Sequence, residues 1–489
     1  MYFKKPSLFK EKWLLQICIL LLILITFLTN YEGSTDIGDY ADTAKYFSGH
    51  YPAKIRSSHS YLFGLVHSPF VGLTKNFFSF RVSSVIFLLI LIYSVYIATG
   101  KNKNALWLML LSPIVWYMAP WINPIQLSSL LFFGAYYLIK KYNNTEKLRF
   151  LFISGTFVGL SWAFWDAITF FFIIFAISFF YNKKFYYFIL FFISVIIGLL
   201  PKLLLDQIIF NFAFMGIIRY FFGIITSLFF KGIYGTMTGY SIINVIMVFL
   251  FLPLFTYKLI SRKIWYNDRS TFIFIIFSIL LLIKNPQIRY TLLLLPIITF
   301  EIVYTLTKKQ FRKQIIFSTF LIVVSIVPYI IQINYSSNAT EFSSILSNID
   351  RVEIYENQEN LIKKDLKEIS IKFPNNTFVV GNAPDNYATL AHLYWGKEIN
   401  EFISIEDYNL FFENNSVLFE KRFMPTPKIK ERRQIWVAGG INKNENDDTD
   451  YESIKFGIGI DEPIKLDGFS VIKRYHILYI SEKTESPNL

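Results

Sequence analysis

Thr35–Tyr46 reads T-D-I-G-D-Y-A-D-T-A-K-Y and puts Asp36, Asp39 and Asp42 within seven residues, close behind the first long apolar run. Acids are scarce around it, since residues 1–334 hold only 10 Asp/Glu against 30 Lys/Arg. At helical spacing Asp36, Asp39 and Tyr40 share one face, with Thr43 a turn further on. The same acids suit a helix start, Asp36 as N-cap and Asp39 at the third helical position. A capping carboxylate can also accept a proton, so the two roles are compatible.

The chain around this cluster is 54% hydrophobic and 19% aromatic over 489 residues, with 53 Phe and 31 Tyr. Its mean hydropathy is +0.42. A soluble core needs far less, so the composition predicts an integral membrane protein. The net charge of +13 is uneven, with 18 Lys/Arg against 25 Asp/Glu from Tyr335 onward. A basic apolar part followed by an acidic tail predicts two domains, residues 1–334 and 335–489, and argues against nucleic acid as a partner. Cys18 is the one cysteine, which excludes disulfides within the chain and a zinc site built on several cysteines.

The fold class this predicts is mainly α, a polytopic membrane protein with a small C-terminal α/β domain outside the cytoplasm. Met1–Lys12 carries four lysines, and Trp13–Leu28 is apolar apart from Gln16 and Thr26. Thr29-Asn30-Tyr31-Glu32 is a poor cleavage site, so this run reads as an uncleaved span. Further spans are expected near 82–99, 105–121, 124–139, 149–165, 167–182, 185–200, 240–257, 271–284, 290–307 and 314–332, about eleven in all. With the N-terminus inside, 20 of the 30 basic residues fall on the side with the shorter loops, as the positive-inside rule expects. The tail then lies outside.

Unusual residues collect on the outward side. The first outward loop, 30–81, holds the acid cluster and then Lys54, Arg56, His59 and His67. A second outward stretch, 201–239, holds Lys202, Asp206, Arg219 and Lys231. Short outward turns add Trp165-Asp166 and the run K-N-P-Q-I-R-Y from Lys284 to Tyr290. Lys284 and Arg289 stand against the topology bias; they either snorkel to water or hold an anionic lipid head group. From Tyr335 the texture is that of soluble protein. A helix is expected over Ile354–Ile369 and another over Pro384–Tyr394. Strands are expected over Thr377–Val380, Gln434–Ala438, Ser470–Ile472 and Ile477–Ile480, and an acidic loop over Asn442–Tyr451. His392 and His476 read as structural, and neither a GxGxxG nor a P-loop is present.

The order of these features resembles the GT-C class of membrane glycosyltransferases, and within it the protein O-mannosyltransferase and aminoarabinose-transferase type. Asp36…Tyr40-Ala41-Asp42…Ala44-Lys45 is similar to that family's Asp-Glu-x-x-Tyr-Ala-Glu-x-Ser/Ala-Arg segment. Phe80-Arg81-Val82-Ser83-Ser84 resembles its Arg-Leu-Pro-Ser start of the second span. Ser112-Pro113, Gly155…Gly159-Leu160 and Arg289-Tyr290…Leu295-Pro296 also fall in matching places, so the likeness covers roughly residues 10–310. Two departures stand out: Ile37 replaces the second acid, and Trp165-Asp166 replaces the Lys-Pro often found after the fifth span.

The resemblance implies transfer of a sugar from a polyprenyl-phosphate carrier to a protein, lipid or glycan acceptor at the outer membrane face. It makes Asp36 the general base, with Asp39 standing in for the missing acid. Lys202, Arg219 and Arg289 become phosphate contacts, with Lys284 and Lys231 in reserve. Tyr40, Lys45, Arg56, His59 and His67 become further substrate contacts. A divalent metal between the first-loop acids and the phosphate is compatible with this chemistry but not required by it. The rival readings are a multispan transporter or flippase, which would place ionisable residues mid-span where Glu301 is nearly alone, and a non-catalytic sensor or scaffold.

Overall fold

The computed structural model describes residues 8–28, 40, 43–44, 47–48, 60–74, 78–181, 183–210, 212–214, 216–217, 242–260, 268–284, 288–334, 356–373, 376–380, 402–404, 453–460 and 462–484. Within them the chain is mostly helical, with one small sheet. The helices are α1 (Leu8–Leu28), α2 (Tyr61–Thr74), α3 (Phe78–Ala98), α4 (Lys103–Leu110), α5 (Pro113–Met118), α6 (Ile125–Thr145) and α7 (Leu148–Phe164). There follow α8 (Ile168–Phe180), α9 (Phe185–Phe210), α10 (Ile242–Phe251), a 3-10 segment (Leu254–Ile260), α11 (Arg269–Lys284), α12 (Tyr290–Ile302), α13 (Lys308–Asn334) and α14 (Glu356–Lys372).

Every stretch expected to span overlaps one of these helices, because each is an apolar run too long for a strand. Two of them, Phe78–Ala98 and Phe185–Ile208, are long and apolar enough to cross a membrane. Trp13–Leu28, Leu148–Phe164, Ile168–Phe180, Arg269–Ile283 and Tyr290–Ile302 are apolar and shorter. The stretch expected as a single span over 105–121 is broken: Pro113, lacking an N–H, opens a new helix behind Ser112. The Trp116 indole closes the break by donating to the Leu110 carbonyl at 2.8 Å. The expected span 240–257 likewise gives way to a 3-10 segment beyond Pro253.

Two packing features position everything else. The helix α12 is buried along nearly its whole length, consistent with a segment apolar on every side. α7 and α9 cross at touching distance through glycines. A Cβ on Gly159 would stand 2.9 Å from the Gly198 Cα and collide with the Val195 carbonyl, and one on Gly155 would meet the Phe191 carbonyl at 2.7 Å. Only hydrogen fits at these positions.

Near the end of α6, the start of α11 and the end of α12, a polar cluster ties the three helices together. Lys140 pairs with Asp268 and, at 3.0 Å, with Glu301. Tyr136 donates to Glu301 at 2.6 Å and shares a hydrogen bond with Thr271 at 2.9 Å. Asp268 also caps α11, accepting from the Thr271 N–H at 3.1 Å. Glu301 is therefore partnered, as a structural carboxylate would be.

The sheet has five strands, β1 (Phe378–Val380), β2 (Phe402–Ser404), β3 (Phe456–Ile460), β4 (Phe469–Arg474) and β5 (Leu478–Lys483), in the order β2-β1-β3-β5-β4. β1 runs parallel to β2 and β3, and β5 runs antiparallel to β3 and β4. Leu366 and Ile369 of α14 close one face over Phe378, Val380, Ile458, Leu478 and Ile480. Asp365, fully buried, accepts from the His476 Nδ1–H at 2.7 Å and from the N–H groups of Ile477 and Leu478 at 2.9 and 3.2 Å. His476 is thus structural, as expected. The expected α14, β1, β4 and β5 are present, whereas β2 and β3 were not anticipated. Pro384–Tyr394, Gln434–Ala438, Asn442–Tyr451 and His392 lie outside the described residues.

Candidate active site

The C-terminal parts of α7 and α9 and the start of α12 meet around a buried charge cluster. α7 stops at Trp165, and Asp166 follows in the short turn before α8. Because α7 and α9 run side by side from their glycine crossing, the next turn of α9 brings Lys202 to Asp166, Nζ to Oδ1 3.3 Å. Asp206, one turn further along α9, lies 3.8 Å from the same ammonium. The Gly216 N–H closes the cluster by donating to Asp206 Oδ2 at 3.0 Å. A Cβ on Gly216 would press on Lys202 Nζ at 2.7 Å, so the chain lies directly over the pair.

All three ionisable side chains are at most 5% exposed. Two carboxylates facing one ammonium leave the cluster one negative charge in excess when all are ionised. Neither Asp166 oxygen has a hydrogen-bond partner among the described residues. A buried carboxylate with unfilled acceptor positions is suited to take a hydrogen bond, or a proton, from an incoming donor. Trp165 packs against Tyr290 at 5.4 Å and so brings the start of α12, with half-buried Arg289 as its N-cap, to the same end.

Three residues of the acid-bearing stretch, Tyr40, Thr43 and Ala44, are described and buried. Tyr40 is 1% exposed and packs with Ala44, Phe63, Phe80, Ile122 and Phe164, the residue before Trp165. Its ring meets Phe63 edge-on at 5.4 Å. Tyr40, expected as a substrate contact, is buried in this cluster. His67 is also committed to structure: Nδ1–H donates to the Phe63 carbonyl at 2.8 Å, Nε2 lies 2.7 Å from the Ser83 hydroxyl, and the ring stacks on Phe80. α2 belongs to the connection between the first two expected spans, and burial there pushes the His67 pKa down to about 4.

Lys202, expected as a phosphate contact, has its charge met by two carboxylates. Asp36, Asp39, Lys45, Arg56, His59, Arg219, Lys231 and the side chain of Lys284 lie outside the described residues. Asp166 and Asp206 were noted in the sequence without a role. The available signal was that acids are few before residue 335 and that these two fall at or near the ends of apolar helices. Among the described residues no three His, Cys, Asp or Glu side chains gather as a metal site requires.

The fold resembles that of a solved GT-C class structure, in line with the resemblance read in the sequence. A solved structure similar to this chain is ArnT from Cupriavidus metallidurans, with a TM-score of 0.53 and 9% sequence identity over 97% of this chain and 98% of that one. No protein-family model matches the chain. No curated protein matches it in sequence.

Proposed function

We propose that this chain is an integral membrane glycosyltransferase that moves a sugar from a polyprenyl-phosphate carrier to an acceptor at the outer face of the membrane. The observation that carries the reading is the buried Asp166–Lys202–Asp206 cluster, lying beside the anchored flank of the acid stretch in an ArnT-like fold. The pairing of Glu301 with Lys140 and Tyr136 favours it over a transporter.

In this reading the helices form about eleven spans, with the N-terminus cytoplasmic. Residues 1–334 are the membrane domain, and 335–489 are an extracytoplasmic α/β domain. The acceptor oxygen attacks the anomeric carbon, the bond from that carbon to the phosphate oxygen breaks, and polyprenyl phosphate leaves. Asp36 takes the acceptor's proton, and Asp39 supports it. Arg289 and Arg219, with Lys284 and Lys231 behind them, meet the charge that grows on the phosphate. Lys202 holds Asp166 in place, and Asp166 hydrogen-bonds a hydroxyl of sugar or acceptor. Lys45, Arg56 and His59 line the approach.

The test is release of polyprenyl phosphate from a panel of synthetic polyprenyl-phosphate hexoses and pentoses in nanodiscs. Asn caps a helix about as well as Asp, so Asp36→Asn keeps the fold. It should lower turnover by about 10²–10⁴-fold, the usual cost of losing a general base. A stable Asp36→Asn protein with wild-type turnover overturns the assignment. It would leave Asp36 as a helix cap.

A further inference from the structure

Strand β4 stands at one end of the strand order and is an unusual edge. None of its six residues is buried, and Val471 and Ile472 are 47% and 46% exposed. A bulge between Val471 and Lys473 puts Ile472 out of register with β5. Bulges and charge blunt an edge strand against pairing with another chain, but aliphatic side chains turned to water work against that purpose. Val471 and Ile472 therefore call for a further reason.

The end of α14 reaches the same edge. Its last residue, Lys372, brings its ammonium within hydrogen-bond reach of Lys473, and this neighbouring charge holds the Lys372 pKa below the ordinary lysine value. Glu368, one turn back on α14, pulls the other way without offsetting Lys473. Lys473 lies 4.3 Å from the centre of the Tyr475 ring, and Arg474 lies 5.1 Å from that of Tyr479, so both cations are held in place. Ile371, next to Lys372, is 72% exposed. Like charges side by side are destabilising, and an anion that joins them removes the penalty. Composition does not explain the grouping, since residues 335–489 carry 18 Lys/Arg against 25 Asp/Glu.

We propose that this edge of the C-terminal domain, Ile371, Lys372, Val471, Ile472, Lys473 and Arg474, docks on the phosphate-bearing head groups of an anionic bilayer. The proposal rests on the chain being a membrane protein, but not on its being a glycosyltransferase. Cations on lipid phosphate with aliphatic side chains in the acyl boundary are the pattern of an interfacial surface. A free anion would use only the cations. Residues 335–355 link α13 to α14 and span at most roughly 80 Å, so the bilayer that holds α13 is always within reach of the edge. Such tethering lets a small patch suffice. Each cation near an anionic leaflet multiplies the docked population about fivefold, so losing two lowers the docked-to-free ratio by about 30-fold.

The experiment uses the full chain with Cys18→Ser and Ser470→Cys, labelled at position 470 with an environment-sensitive fluorophore. It is reconstituted in phosphatidylcholine bilayers with or without about one third phosphatidylglycerol. Lipid carrying a nitroxide at head-group depth quenches a docked probe. Quenching should be strong in the anionic bilayer and weak in the neutral one. It should fall as salt rises from about 0.1 M to about 1 M, which shortens the screening length from about 10 Å to about 3 Å. Lys372→Gln/Lys473→Gln should lower the docked-to-free ratio by about 30-fold. Ile371→Ser/Ile472→Ser should also weaken quenching, which separates a lipid surface from a free anion. Equal quenching in the two bilayers, or none in either, overturns the proposal, and so does undiminished quenching in either double variant. The lipid and salt comparisons need no substitution in the patch, so they decide even where a double variant does not fold. Release of the chain from the bilayer by alkaline carbonate would instead overturn the membrane reading beneath the proposal.

Discussion

Replacing Gly198 with alanine adds one methyl group at the point where α7 and α9 touch. The new Cβ would stand 2.8 Å from the Leu160 nitrogen and 2.9 Å from the Gly159 Cα, and would collide with the Thr156 carbonyl. All three are backbone atoms, so no side chain can swing away. Restoring ordinary carbon contacts of about 3.5–4.0 Å requires the helices to part by roughly 1 Å. Overpacking of this kind costs about 1–3 kcal/mol. Lys202 lies one turn beyond Gly198, so the same movement draws its ammonium from 3.3 Å to about 4.3 Å from Asp166. At an effective dielectric constant near 20 that loses about 1 kcal/mol of attraction. Alanine's better helix propensity returns up to about 1 kcal/mol. The net expectation is about 1–3 kcal/mol of destabilisation. The assay is thermal unfolding followed by tryptophan fluorescence in detergent, with Lys202→Met made in both backgrounds. Lys202→Met should cost less in Gly198→Ala than in wild type, because the pair is already weakened. A Gly198→Ala protein that melts at or above the wild-type temperature refutes the argument that glycine contact sets the Asp166–Lys202 geometry.

Three further predictions address other parts of the molecule. Lys140→Met leaves the Asp268 and Glu301 carboxylates without their shared cation and should destabilise by about 1–3 kcal/mol. Adding Glu301→Gln should restore part of the loss, and equal melting of the single and double variants would show that Lys140 and Glu301 are uncoupled. Asp365→Ala strips the partner from two buried backbone N–H groups and from His476, and should make the C-terminal sheet region of the full chain far more sensitive to limited proteolysis than His476→Ala does; equal sensitivity would deny Asp365 that role. His67, neutral when folded with a pKa near 4, binds its proton more readily once unfolded, where its pKa is near 6.5. Its contribution, on the order of 3 kcal/mol, is therefore present above about pH 6.5 and is lost as pH falls toward 4. His67→Gln should flatten that part of the pH–stability curve, and an unchanged curve would place the titration elsewhere.

The positions of the helices were legible because length and hydrophobic continuity are local properties. A run such as Phe185–Leu200 can satisfy its backbone only as a helix when its surroundings are apolar. Punctuation was less legible. Ser112-Pro113 was noticed, but its effect of splitting one helix into two depends on whether neighbours bridge the break, as Trp116 does. Strand β3 reads F-G-I-G-I, and its two glycines hide it from any scale of strand propensity. In the fold Gly459 is required, since a Cβ there would meet the Glu462 carbonyl, whereas one on Gly457 would press on the end of the Ile464 side chain.

The same division holds at the candidate site. Charge scarcity and loop position point to the first-loop acids, to Lys202 and to Arg289. They did not reveal that Lys202 is held between Asp166 and Asp206, because the pairing joins α9 to the end of α7 across an intervening helix. Nor did they show that Tyr40 is buried among aromatic rings, a matter of which elements pack beside it. The sequence by itself determined where apolar helices form, how charge is divided along the chain, and which connecting segments carry ionisable groups, since each follows from neighbouring residues alone. Only the tertiary structure decided which of those groups face one another, because that depends on how closely two helices pack, and here the closeness is set by glycines whose partners lie far away in the chain.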